Sequence, residues 1–137
     1  MSGPLSQGPA AEAGLDPEER GLLAAVDHFN AGEWYACHDG LEELWHETAG
    51  AMRPVLQGIL QIAVGQLHLS RGNQRGALIL TGEGLGRLQR CGDQALDLDL
   101  QALREQARAW LEVLQLEQDA AQLSPPSLKR VQSPGSL

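Results

Sequence analysis

The stretch Cys37-His38-Asp39-Gly40-Leu41-Glu42-Glu43-Leu44-Trp45 predicts an amphipathic helix around which the rest of the chain is organised. At about 100° per residue, His38, Glu42 and Trp45 fall within roughly 60° of one another on the helix surface. Leucines border this polar stripe. The spacing therefore predicts a helix that packs against neighbours through its apolar residues and carries a histidine and a glutamate on one face.

A second polar stripe follows one helix later, between Gln57 and His68. Gln57, Gln61 and His68 lie within about 40° on a segment that is otherwise apolar almost all the way round, which predicts the central helix of the fold. A connection of about six residues makes the two helices antiparallel neighbours. We therefore predict that the two stripes converge on one shared, buried polar pocket.

Most of the remaining chain is also predicted to be helical. Asp16-Pro17-Glu18-Glu19 forms a capping box with proline at the first helical position, and Ser124-Pro125-Pro126 ends the last helix. Three glycines inside the fourth helix predict close approach to another helix rather than a phosphate-binding loop: Gly82, Gly84 and Gly86. The prediction is an all-α, single-domain antiparallel bundle of about five helices over residues 16–123, with disordered segments at 1–15 and 124–137.

Composition limits the classes of partner. The 137 residues carry a net charge of −8, which argues against nonspecific nucleic-acid binding and against docking on an anionic membrane. No apolar stretch has the length of a membrane-spanning helix and the N-terminus has no secretory signal, so we expect a cytoplasmic protein. Cys37 and Cys91 are too few for a disulfide scaffold and are expected to be free thiols.

A histidine and a glutamate four residues apart can direct two ligands at one metal ion. The sequence-based hypothesis is a divalent transition metal, Zn, Mn, Fe or Ni, held by His38 and Glu42, with His68 or Asp39 completing the set.

The other polar residues of the pocket have supporting roles in this hypothesis. Gln57 and Gln61 are poor metal ligands and are expected to orient the histidines or the glutamate. Trp45 is predicted to anchor the core with its N–H bonded to a neighbour. Cys37 is a poor candidate for a nucleophile, since adjacent helical residues point about 100° apart and His38 is badly aimed as its base.

Two alternatives stay open. In the first, the His/Glu/Gln network is purely structural and the protein is a non-catalytic helical interaction module that binds a protein partner or forms a homo-oligomer. In the second, His38 and Glu42 are an acid/base pair of a metal-free enzyme. No reaction class follows from the residues, although hydrolase-type metal chemistry is compatible with the metal hypothesis.

Several motifs together resemble the DUF309 family, a group of small helical prokaryotic proteins of unknown function. The resemblance covers roughly residues 22–88 and rests on these segments: Phe29-Asn30-Ala31-Gly32-Glu33-Trp34-Tyr35, His38-Asp39-x-Leu41-Glu42-x-x-Trp45, Gln57-Gly58-x-x-Gln61, His68 and Arg71-Gly72-Asn73-x-x-Gly76-Ala77. The family signature His-x-x-x-Glu-x-x-aromatic is matched by His38, Glu42 and Trp45, and the resemblance implies a helical fold and a metal-binding candidate. Members usually carry Glu after the histidine, where this chain has Asp39.

Overall fold

A computed structural model describes residues 14–131, and five α-helices make up most of this part of the chain. A two-stranded hairpin precedes the last α-helix and a short 3-10 helix follows it. The elements are α1 Pro17–Asn30, α2 Trp34–Glu47, α3 Met52–Ser70, α4 Gln74–Leu88, β1 Gln94–Ala95, β2 Leu98–Asp99, α5 Leu100–Gln115 and the 3-10 helix Ala120–Gln122.

Local sequence signals set the helix ends. Asp16 Oδ1 accepts a hydrogen bond from the Glu19 backbone N–H at 2.8 Å, and Glu19 Oε1 accepts one from the Asp16 N–H at 3.0 Å, so the predicted capping box is confirmed. Gly32, Gly50 and Gly72 each adopt a positive φ just beyond a helix, a conformation that glycine reaches without steric cost.

Consecutive helices pack side by side, so the chain runs up and down through the bundle. Their apolar faces meet in one core whose largest fully buried side chains include Phe29, Leu41, Ile59, Leu88 and Leu103. The predicted all-α bundle is confirmed. Within residues 14–131, every helix is too short or too polar to span a lipid bilayer.

The most extensive helix pair is α3 with α4, and small residues bring these two helices together. A Cβ placed on Gly84 would lie 2.7 Å from the Gly58 carbonyl oxygen, and one on Gly58 would lie 2.7 Å from Leu88 Cγ. The predicted close approach is therefore confirmed at Gly84. It does not hold at Gly86, where an added Cβ meets open space.

The segment after the last helix differs from the prediction. α5 ends at Gln115, and residues 124–131, predicted to be disordered, pack onto the bundle. Leu128 is buried, and its backbone N–H donates to Asn30 Oδ1 at 2.6 Å while its carbonyl accepts from Asn30 Nδ2 at 3.0 Å. Composition suggested disorder, but one buried leucine and paired backbone groups hold the segment.

The β-hairpin was also not predicted, since its strands are two residues each. Leu96 and Asp97 form its turn, both with φ near +60° (56° and 59°). The C-terminal segment continues this small sheet, because Asp99 N–H donates to Lys129 O at 2.8 Å and Val131 N–H donates to Asp97 O at 2.9 Å. The N-terminal prediction for residues 1–13, and the tail prediction for 132–137, lie outside the described residues.

Candidate functional site

His38 is the centre of a small group of polar side chains on one face of α2. Its Nδ1 lies 3.2 Å from Asp39 Oδ1, and its Nε2 lies 3.8 Å from Glu42 Oε2. The Tyr35 ring stacks on the imidazole, with centroids 6.2 Å apart and planes inclined by 13°. One helical turn on either side of His38 therefore supplies all of these contacts.

The hydrogen bond to Asp39 decides which nitrogen of His38 is available. A carboxylate only accepts hydrogen bonds, so Nδ1 carries a proton and, in the neutral ring, Nε2 holds a lone pair. That lone pair faces the Glu42 carboxylate, which is also an acceptor. Two acceptors that face each other repel. A proton on Nε2, or a cation between the two groups, would make the contact favourable.

His38 and Glu42 are more exposed to solvent than the sequence predicted. The side chain of His38 is 26% exposed and that of Glu42 is 51% exposed. The prediction of a buried polar pocket is therefore wrong for these two residues, because the face of α2 that carries them lies at the surface of the bundle. The same exposure argues against a buried hydrogen-bonded pair that holds two helices in register.

The second stripe makes its polar contacts elsewhere. Gln61 is buried, its Oε1 accepts from Arg87 Nε at 2.9 Å, and its Nε2 donates to Glu83 Oε1 at 3.1 Å. Gln61 therefore connects α3 to α4 rather than orienting the α2 pair, while Gln57 is half-buried on the same helix. Glu83 and Arg87 were missed by sequence reasoning, although their i, i+4 spacing is the signal that places them on one face.

His68 lies at the C-terminal end of α3 and contacts the following turn. Its Nδ1 lies 3.3 Å from Asn73 Nδ2, and Asn73 Oδ1 accepts from the Gly76 N–H at 2.8 Å, which turns the amide nitrogen toward the histidine. Nδ1 then accepts and the proton of the neutral ring lies on Nε2. Across residues 14–131, no three His, Cys, Asp or Glu side chains are grouped closely enough to hold a metal ion.

Trp45 packs at the edge of the core beside a cation. The guanidinium carbon of Arg53 lies 3.8 Å from the centroid of its ring, a cation–π contact between α2 and the start of α3. The indole N–H was expected to bond to a neighbour, but it is buried without a hydrogen-bond partner among the described residues. The sequence does not predict the role of Arg53, because the contact depends on how the two helices align.

Cys37 precedes His38 on α2 but belongs to the core. Its side chain is fully buried, and desolvation raises the pKa of the thiol from 9.0 to about 12. A thiol that stays protonated and is out of contact with solvent is a poor nucleophile. Cys37 and Cys91 are both free, as predicted.

The fold and this surface group define a small all-α bundle domain with a solvent-accessible His–Glu pair. Residues 22–80 match the family model described as "Domain of unknown function (DUF309)". The match contains His38, Glu42, Trp45, Gln57 and Gln61, and confirms the resemblance drawn from these motifs. A comparison with curated proteins finds no match.

Proposed function

We propose that this DUF309 domain binds a divalent transition-metal ion, Zn, Mn, Fe or Ni, through His38 Nε2 and Glu42 Oε2. The observation that supports the proposal is the pair of facing acceptors at 3.8 Å. Bonds of about 2.0–2.2 Å from Zn²⁺ to nitrogen and oxygen place tetrahedral ligands about 3.4 Å apart. A small rotation of the half-exposed Glu42 side chain covers the difference.

Asp39 has a supporting role in this proposal. Its carboxylate accepts from the Nδ1–H of His38, which is the carboxylate–histidine arrangement that fixes the tautomer and the orientation of a ligating imidazole. The shorter aspartate in place of the family's glutamate still reaches Nδ1 from the next position on the helix. His68 is not included in the proposed ligand set, because its Nδ1 is engaged by Asn73.

Two protein ligands leave several coordination positions open to water, to a small ligand or to a second copy of the chain. The imidazole nitrogen of the proposed ligand set favours a transition metal over Ca²⁺ or Mg²⁺, since those ions prefer ligand sets made of oxygen alone. The proposed function is therefore metal binding at an accessible surface site, with the ligand or partner that completes it supplied from outside.

The test measures binding to protein purified without a histidine tag. Calorimetric titration with Zn²⁺ is expected to give one site that is weakened at least about tenfold by His38→Ala and by Glu42→Gln, as loss of one of two ligands requires. Glu43→Gln and His46→Ala are matched controls on the exposed surface of the same helix. His68→Ala tests whether His68, which is not in the proposed ligand set, contributes to binding. Unchanged affinity in both His38→Ala and Glu42→Gln would contradict the proposal.

Molar mass by light scattering, with and without Zn²⁺, separates the two ways of completing the site. If a second copy fills the open positions, the ion doubles the mass and the stoichiometry falls to one ion per two chains. If water or a small ligand fills them, mass is unchanged and each chain binds one ion. The alternative of an interaction module with a purely structural His/Glu/Gln network predicts no specific zinc site in any of these proteins.

A further inference from the structure

A cleft of about 430 Å³ lies at the other end of the α3–α4 pair, away from His38. Its walls are the first turn of α3, the end of α4 and the segment that leads into β1. Met52, Pro54, Val55 and Ala95 provide apolar surface. The volume falls in the range of pockets that hold small molecules in proteins.

The charged residues of this cleft are all of one sign. Arg87 and Arg90 line it, no Asp or Glu among the described residues does, and neither arginine forms an ion pair within residues 14–131. In a chain with a net charge of −8, these two arginines beside an apolar cavity make the cleft locally positive.

Arg87 is held in place by the buried amide of Gln61. Its Nε donates to Gln61 Oε1 at 2.9 Å, which leaves the two terminal nitrogens of the guanidinium for another acceptor. The Gln61 amide also donates to Glu83, so it separates the Glu83 carboxylate from Arg87 rather than letting the two charges pair directly. A pre-oriented guanidinium loses less conformational entropy when it binds an anion.

We propose that this cleft binds a small organic anion, with a carboxylate or phosphate head on Arg87 and Arg90 and a short apolar body against Met52, Pro54 and Val55. Guanidinium groups recognise both heads through paired N–H donors. Gln61 acts as a positioning residue for Arg87. This site shares no residue with the proposed metal site, so either proposal can fail without the other.

The probes are hexanoate and hexyl phosphate, with hexanol as the neutral analogue of the same chain length. Calorimetric titration of the full-length protein is expected to show binding of at least one of the two anions and at least about tenfold weaker binding of hexanol, because hydrogen bonds to a charged group are stronger than those to a neutral one. Comparison of the two anions identifies the preferred head.

Arg87→Gln and Arg90→Gln are each expected to weaken the preferred anion at least about tenfold. Arg75→Gln, at an exposed position in the first turn of the same helix, is the matched control and is expected to bind as the unaltered protein does. Arg90 is exposed and takes part in no side-chain hydrogen bond among the described residues, so its variant keeps the test valid if Arg87→Gln folds poorly.

Alkylation by N-ethylmaleimide locates the bound anion, since Cys91 lines the cleft while Cys37 is buried. Saturating anion is expected to slow modification of Cys91, and in Arg90→Gln the same protection is expected to need at least about tenfold more anion. The proposal is overturned if neither anion binds up to its solubility limit, if hexanol binds as tightly as they do, or if Arg90→Gln leaves affinity and protection unchanged.

Discussion

The Cys37 thiol and the His38 imidazole are neighbours in sequence with opposite environments. Cys37 points into the core and His38 lies at the surface, because successive side chains on a helix diverge by about 100°. Burial favours the neutral form of the thiol, whereas exposure leaves the histidine accessible to ions. The metal-binding and anion-binding proposals both rest on accessible side chains, of which His38 is held by its hydrogen bond to Asp39 and Arg87 by its hydrogen bond to Gln61.

The raised pKa of Cys37 gives stability a specific dependence on pH. The unfolded chain loses the thiol proton near pH 9, but the folded chain keeps it to about pH 12, so this contribution is complete below pH 9 and is lost as pH rises from 9 to 12. Between pH 8 and pH 10 the free energy of unfolding should fall by about 1.4 kcal/mol on this account.

Urea unfolding at the two pH values measures this change. In Cys37→Ala the fall in the free energy of unfolding between pH 8 and pH 10 should be smaller by that amount, whatever the variant's stability at pH 8. Cys91→Ala is the control and should retain the full loss, because this variant keeps the buried thiol of Cys37. An unchanged alkaline loss in Cys37→Ala would mean that the buried thiol is not the source.

At the scale of the helical elements, glycine has two opposite effects within α4. Gly84 lets the backbones of α3 and α4 approach, whereas Gly86 faces open space and only lowers helix propensity. The two positions are two residues apart on one helix, so substitution by alanine separates packing from propensity.

Gly84→Ala is expected to lower the free energy of unfolding by about 1–3 kcal/mol, since the new methyl group would lie 2.7 Å from the Gly58 carbonyl oxygen. Gly86→Ala is expected to raise it by up to about 1 kcal/mol. Urea unfolding midpoints test both. Equal effects of the two substitutions would show that the helices do not meet as closely as described.

On the scale of the whole molecule, the C-terminal segment links the first helix to the hairpin. Asn30 at the end of α1 binds both backbone groups of Leu128, and residues 129 and 131 extend the small sheet. The segment covers apolar surface that would otherwise face water, so it belongs to the folded unit.

Leu128→Ala is therefore expected to reduce the free energy of unfolding by about 2–4 kcal/mol, the usual cost of truncating a buried leucine. Leu116→Ala is the control, at a leucine 60% exposed, and should change it by less than about 0.5 kcal/mol. Thermal or urea unfolding distinguishes the two. A negligible cost for Leu128→Ala would show that the segment does not stabilise the bundle.

Local sequence patterns are enough to predict the helices and the alignment of His38 with Glu42. These features depend on residues within about one or two turns of each other: the Asp16–Glu19 capping box, the glycines at helix ends, and the 3.6-residue period that puts His38 and Glu42 on one face. Local geometry of this kind is nearly independent of what packs against the helix.

The partners of the remaining polar residues depend on how the helices pack against one another. Gln61 was expected to orient the histidines or Glu42, yet it binds Glu83 and Arg87, because the rotation of α3 about its axis is fixed by core packing and by the glycine contact with α4. Asn30 and Leu128 are 98 residues apart in the chain, and a contact at that separation follows from the path of the whole bundle rather than from any local pattern.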